Sequence, residues 1–237
     1  MADPLVLGNA AKLYCLQWIE RLAAEQPALR ILDLGCGRAD TFQVLLRRHP
    51  GIRYIGVEPD PAAAGAARVA LPGAEIVTAS ADEVEVEPVD VVVSFSVLEH
   101  VYRRAAYVAT IARHLRPGGL AFVNYDAGHF VAGDARERLR TLTAPPLARL
   151  GRENRYQAFV REVDFRRLAA DARLEIVEGK SFNALKEIYY ALPEERWPDF
   201  MEHWLALELA VNDIGVEYRD ELARVFRTRN FVLRSAA

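Results

Sequence analysis

Short apolar runs alternate along this chain with stretches in which apolar residues return every three or four positions. Ile31-Leu32-Asp33-Leu34, Tyr54-Ile55-Gly56-Val57 and Val91-Val92-Val93 are too short for helices and nearly all apolar, as expected of strands buried on both faces. Between such runs lie helical patterns; Leu13, Leu16, Trp18, Ile19 and Leu22 mark the first. The periodicity predicts helix 10–25, strand 30–34, helix 39–48, strand 53–57, helix 61–69, strands 74–78 and 89–94, helix 103–115 and strand 119–125. Strand followed by helix, repeated, predicts a largely parallel sheet with helices on both faces. The rhythm breaks over 126–158, which carries Pro145-Pro146 and several glycines. It resumes with helix 159–172 and strand 174–180, and a helical insertion over 184–226 precedes a last strand near 228–234. The chain reads as one domain, 1–237, with two elaborations, a loop or helical insertion at 126–158 and the helical one at 184–226. It contains no internal repeat.

Composition narrows the class without naming it. Just over half the residues are apolar (51%), enough for a sizeable core, and the formal charge of −3 implies no general affinity for nucleic acid or anionic membranes. No run approaches the ~20 apolar residues of a membrane helix. Residues 1–11 lack the basic and apolar regions of a secretory signal. Cys15 and Cys36 are the two cysteines, too few for a disulfide framework or a metal spacing, which suits a reducing cytoplasm.

The candidate chemistry starts where the first strand ends. In Ile31-Leu32-Asp33-Leu34-Gly35-Cys36-Gly37, two glycines let the backbone turn sharply and let a ligand approach without meeting a Cβ. A loop at the carboxyl end of a first strand is where open α/β sheets bind nucleotide-like ligands. A dinucleotide loop would carry a third glycine at position 40 to seat a pyrophosphate. Asp40 stands there instead, and its carboxylate would repel a phosphate. Asp33 favours a cationic or amine-bearing ligand.

With these features the chain resembles the class I S-adenosylmethionine-dependent methyltransferases, strongly over 28–125 and more weakly beyond. The resemblance implies a Rossmann-like, seven-stranded, mostly parallel sheet in the order 3-2-1-4-5-7-6, with the seventh strand antiparallel. It implies that Asp33, Gly35, Cys36 and Gly37 lie beside the methionine end of S-adenosyl-L-methionine. Glu58, which closes Ile52-Arg53-Tyr54-Ile55-Gly56-Val57-Glu58, would take the ribose hydroxyls, with Pro59 beside it. Asp82 would sit near the adenine amine and Ala81 would offer its backbone N–H. Ser96, at the end of the fourth strand, is a further cofactor position. The Val97-Leu98-Glu99-His100-Val101 ending is similar to that of the small-molecule branch, including ubiquinone-pathway O-methyltransferases, and Leu115-Arg116-Pro117-Gly118-Gly119-Leu120 resembles the family's turn into strand five.

A hydroxyl acceptor needs its proton removed, and histidine has a suitable pKa. His100 and His129 follow strands four and five and are the expected bases; Glu99, Tyr125 and Asp126 are expected at the same rim against substrate. No metal is expected. Metal-assisted relatives carry two acids and a histidine here, and Ser96 occupies the first acid's position. The Asn/Asp-Pro-Pro-Tyr motif of methyltransferases acting on nucleobase or glutamine amines is replaced by Ser94-Phe95-Ser96-Val97. The six arginines between positions 134 and 155, with Arg103 and Arg104, could face an anionic substrate or form a solvated face with the interleaved acids. Trp197, Phe200, Met201, Trp204, Leu205 and Leu209 have helical spacing and could be core, a substrate lid or a homodimer surface. The expected function is methyl transfer from S-adenosyl-L-methionine to a small molecule, at oxygen. An RNA or protein methyltransferase, or a non-catalytic partner subunit that binds the cofactor, remains the alternative.

Overall fold

The computed structural model describes residues 4–126, 146, 148, 156–214 and 225–236. Seven strands form one sheet: β1 (Arg30–Leu34), β2 (Arg53–Val57), β3 (Glu75–Val77), β4 (Val89–Phe95), β5 (Leu115–Asp126), β6 (Leu174–Phe182) and β7 (Thr228–Ser235). Their order is β3-β2-β1-β4-β5-β7-β6. The first five pair in parallel, and β7 runs antiparallel to both β5 and β6. This is the Rossmann-like sheet that the resemblance implied.

Alternation along the strands builds two cores. Ile31, Tyr54, Val91, Val93 and Phe122 face a layer made by α1 (Ala10–Glu25), α2 (Gln43–Arg48), α3 (Pro61–Ala70) and α7 (Trp197–Ile214). Leu32, Leu34, Ile55, Val92 and Val123 face α4 (Arg104–His114) and α5 (Glu162–Asp171). Side-chain caps start two of these helices. Asn9 accepts the Lys12 N–H at 3.0 Å at the head of α1, and Asp60 accepts the Ala63 N–H at 2.8 Å with Pro61 as the first helical residue of α3. Among the described residues no helix is long and apolar enough to cross a membrane.

Three elements differ from expectation. The helix expected over 39–48 begins as a 3-10 turn, Asp40–Phe42, because Ala39 is left-handed (φ 60°) where the chain leaves the glycine loop. The fifth strand begins four residues early. Leu115 pairs with Val89 and Leu120 with Val91, so residues 116–119 bulge out between two paired positions, with Gly118 at φ 74°. The helical stretch after β6 is broken into α6 (Lys186–Ala191), a 3-10 turn at Glu194–Arg196, and α7. Its apolar face is largely core: Met201, Trp204 and Leu205 are buried against α1 and Tyr189. Glu208 anchors α7 to the end of β6 by accepting the Asn183 N–H at 2.8 Å and the Ala184 N–H at 2.6 Å.

Candidate active site

The parallel strands β1, β2 and β4 end at one edge of the sheet, and the site is assembled there. Gly35 (φ 83°) and Gly37 (φ 57°) both need left-handed backbone. The N–H groups of Gly35 and Cys36 donate to the last carbonyl of β2, on Val57, at 2.8 and 3.0 Å. Glu58 completes the loop: one carboxylate oxygen accepts the Gly37 N–H at 2.9 Å, the other the Asp60 N–H at 3.0 Å. The two glycines then serve different ends. A Cβ on Gly35 would meet Val97 Cγ2 at 2.5 Å, so that glycine admits the β4–α4 connection. Among the described residues a Cβ on Gly37 would meet nothing within 4 Å, which leaves room for a ligand on that face.

Beneath the loop lies a buried polar group that the sequence only partly announced. Asp33 is 4% exposed and accepts the Tyr54 hydroxyl at 2.7 Å. Burial pushes its pKa up to about 6, against the opposing pull of Tyr54 and Lys12. Among the described residues Tyr54 is its hydrogen-bond partner. Lys12, on α1, sits beside it, with Nζ 3.5 Å from Thr41 Oγ1 and 5.9 Å from the centre of the Phe95 ring. Burial lowers the Lys12 pKa, partly offset by Asp33, and Lys12 forms no ion pair among the described residues. Sequence reasoning passed over Lys12. The signal was present: it lies four and seven residues before Leu16 and Ile19, on the buried face of α1. Cys36 is a filler. Its sulfur stands where a Cβ on Gly56 would come within 2.8 Å, and burial pushes its thiol up to about 12, far from reactive thiolate character.

At the end of β4 the chain turns through a 3-10 segment, Leu98–His100. Ser96 is left-handed (φ 58°), and its N–H donates to both the backbone and side-chain oxygens of Asn124 at 2.9 and 3.1 Å. Glu99 then points inward and is 1% exposed. Its Oε1 accepts the Asp126 N–H at 3.2 Å, while Oε2 has no hydrogen-bond partner among the described residues. Burial pushes the Glu99 pKa up to about 7, only partly countered by its backbone hydrogen bonds.

The remaining expected residues divide. His100 is exposed beside Glu99, its Nδ1 3.4 Å from the Tyr156 carbonyl oxygen. Asp82 is exposed and Ala81 half-buried against the second core, in a turn after β3 shaped by Glu83, whose carboxylate accepts the Ser80 N–H and hydroxyl at 3.1 and 2.6 Å. Pro59 follows Glu58 at the head of α3. Tyr125 is not at the rim. Its ring is fully buried between Phe165 and Phe231, because β5 continues to Asp126 and turns that side chain into the second core. Arg104 does not face a ligand pocket either; its guanidinium donates to the carbonyls of Leu98, Ala158 and Phe159 and clamps residues 158–159 to the Glu99 turn. His129 lies outside the described residues, as does most of the arginine-rich 134–155 segment.

Comparison with known proteins matches residues 8–179 to a family model described as a methyltransferase domain. A trans-aconitate 2-methyltransferase of Acidovorax sp. (strain JS42) is 37% identical over 124 residues, 51% of this chain and 48% of that protein. A ubiquinone biosynthesis O-methyltransferase of Agrobacterium fabrum is 26% identical over 226 residues, covering 86% of this chain and 82% of the other. Matches to trans-aconitate 2-methyltransferases span less than half of those relatives' length (41% and 48% in two of them). Among solved structures, a cyclopropane synthase from Mycobacterium tuberculosis shares the fold at TM-score 0.58 and 16% identity, over 92% of this chain and 84% of that one. The glycine loop, the acid closing β2 and the strand order thus agree with the family match, and the chain belongs to the class I S-adenosylmethionine-dependent methyltransferase domain family.

Proposed function

We propose that this protein transfers a methyl group from S-adenosyl-L-methionine to an oxygen of a small-molecule acceptor. The observation that carries the reading is the face of Gly37 that no described residue fills, beside the fixed Glu58 carboxylate, together with half-buried Lys12 near Asp33, which forms no ion pair among the described residues. A ligand with a zwitterionic amino-acid end, a cationic centre and a ribose matches that donor set. Lys12 holds the amino-acid carboxylate, and Asp33 offers negative charge to its ammonium. Gly35, Cys36 and Gly37 line the ligand with backbone, and Glu58 takes the ribose hydroxyls. Asp82, with the Ala81 N–H, meets the base, while Pro59 and Ser96 border the site. Bound there, the cofactor supplies a methyl group activated on a sulfonium. The chain's own work is to align the acceptor oxygen, exclude water and receive a proton. Glu99, His100 and Asp126 lie together at the strand ends where the acceptor would sit, and His100, exposed and next to the buried acid, is the first base for an acceptor hydroxyl.

The relatives support a small acceptor, being trans-aconitate and ubiquinone-pathway methyltransferases. Free Cys15 and Cys36 suit a cytoplasmic site of action. Exposed Ile188, Leu207 and Ile214 leave part of 184–226 for a second copy of the chain, while the core takes the rest. The test is incubation with methyl-labelled S-adenosylmethionine and size-fractionated cell extract, with Glu58→Gln as control. Label in the small-molecule fraction that is lost in the variant is the expected result. Label in RNA or protein, or cofactor binding with no label anywhere, would overturn it.

A further inference from the structure

Glu99 has a position that methyl transfer by alignment alone does not require. It is a carboxyl group removed from water, on the turn that follows β4, at the edge where β1, β2 and β4 end. One oxygen is tied to the Asp126 N–H; the other is buried and has no partner among the described residues. A buried oxygen left without a partner is costly and persists where function uses it. The charged and titratable groups around it come from every neighbouring element. Lys12 on α1 acts on it through charge and also feels Asp33, Lys186 and Asp40; Arg104 and Tyr107 act from α4, Asp126 from β5, and His100 follows on its own turn. Neither cation forms an ion pair with it; Arg104 is committed to three backbone carbonyls, and Lys12 lies nearer to Asp33 in electrostatic effect.

Resting on the cofactor reading above, we infer that Glu99 is the electrostatic counterpart of the cofactor's sulfonium, ionised while the sulfur is charged and protonated once the methyl has left. The charges balance in one turnover. The acceptor oxygen forms a bond to the methyl carbon as the carbon–sulfur bond breaks, and that bond's electron pair stays on sulfur, giving a neutral thioether. The acceptor's hydroxyl proton passes to the Glu99 carboxylate, directly or through His100, giving a neutral acid. A buried cation and a buried anion thus disappear together, and neither the substrate nor the product complex holds an uncompensated charge. After product release the proton returns to solvent. Discrimination between S-adenosylmethionine and S-adenosylhomocysteine then depends on pH through this residue. With its ordinary 4.5 pushed up to about 7, Glu99 is largely neutral in the free protein at pH 6, and binding a sulfonium must expel that proton.

The experiment needs no acceptor. Affinities for S-adenosylmethionine and S-adenosylhomocysteine are measured by calorimetry between pH 5.5 and 7.5, in buffers of different ionisation enthalpy so that proton release is counted. Both ligands carry the same amino-acid, ribose and base groups, so the ratio isolates the sulfur charge. The expected ratio rises about sixfold in favour of S-adenosylmethionine across that window, for a coupling of about one pKa unit. Proton release is expected on binding S-adenosylmethionine and not S-adenosylhomocysteine. Glu99→Gln keeps the shape and an acceptor for the Asp126 N–H, so it should bind S-adenosylhomocysteine as the wild type does, with a flat ratio. A flat ratio in the wild type overturns the inference, whatever the variant does. A ratio in Glu99→Gln that still climbs overturns it too, and moves the coupling to Asp33 or His100. If Glu99→Gln fails to fold, proton release by the wild type decides. Failure to bind either ligand would instead sink the cofactor reading itself.

Discussion

Gly35→Ala is the substitution whose cost can be worked most fully from the geometry. Two penalties arise, and they are separable. The backbone at φ 83° is left-handed, which costs an L-residue about 1–2 kcal/mol. The added methyl would stand 2.5 Å from Val97 Cγ2 and 3.2 Å from Cγ1, so Val97 must move, and overpacking of this kind costs about 1–3 kcal/mol. The sum is a loss of roughly 2–5 kcal/mol. Val97→Ala removes both offending carbons and alone costs on the order of 1 kcal/mol, since Val97 is half-buried. In the double variant the overlap vanishes and only the backbone penalty persists. Urea denaturation followed by tryptophan fluorescence gives all four stabilities. The cycle should show a favourable coupling of about 1–3 kcal/mol between the two sites. Additivity to within about 0.5 kcal/mol would refute the assignment of Gly35 to close packing. Gly37→Ala is the contrast, because its methyl meets nothing within 4 Å among the described residues. It should cost stability only through its backbone, about 1–2 kcal/mol, and act chiefly on ligand affinity.

Lys12→Met should weaken S-adenosylmethionine binding by about 1.5–3 kcal/mol, the usual cost of losing a charged hydrogen-bond partner, while leaving the unliganded fold at least as stable. Calorimetry that finds the affinity unchanged would remove Lys12 from the site. The unliganded protein should lose stability as pH rises from 5 to 8. Burial raises the pKa of Glu99 to about 7 and of Asp33 to about 6, so the folded state holds protons that the unfolded state has released. The stabilisation is full below about pH 4, near the unfolded values, and is lost as pH climbs through 6 and 7. Glu99 accounts for roughly 3 kcal/mol of this. Denaturation midpoints that stay level in the wild type, or slope equally in Glu99→Gln, would contradict it.

Much of the site was legible because local chemistry declares it. Gly35 and Gly37 between an apolar run and a helical one mark a turn that only glycine enters freely, and Glu58 closes the next strand where an acid can reach that turn. The residues that were missed or misassigned depend on direction and depth. Lys12 reads as an ordinary polar residue near the start of a helix until α1 is packed and its side chain lies under the loop. Tyr125 and Asp126 are neighbours, yet the first is buried in the core and the second lies half-buried beside Glu99, because successive side chains on a strand face opposite ways and the end of β5 was not visible in the pattern. Glu99 and His100 divide in the same manner, one buried and one exposed, on a single 3-10 turn.

By itself the sequence determined the order of strands and helices, the glycine loop and the acids at the strand ends. These follow from periodicity and backbone freedom, which act over a few residues. Only the tertiary structure decided the rest. It set Gly35 against Val97, left Gly37 without a neighbour and Lys12 beside Asp33 without an ion pair among the described residues, and took Glu99 out of water. Those properties are charges and contacts between segments far apart in the chain, and electrostatic character depends on what surrounds a group more than on which residue carries it.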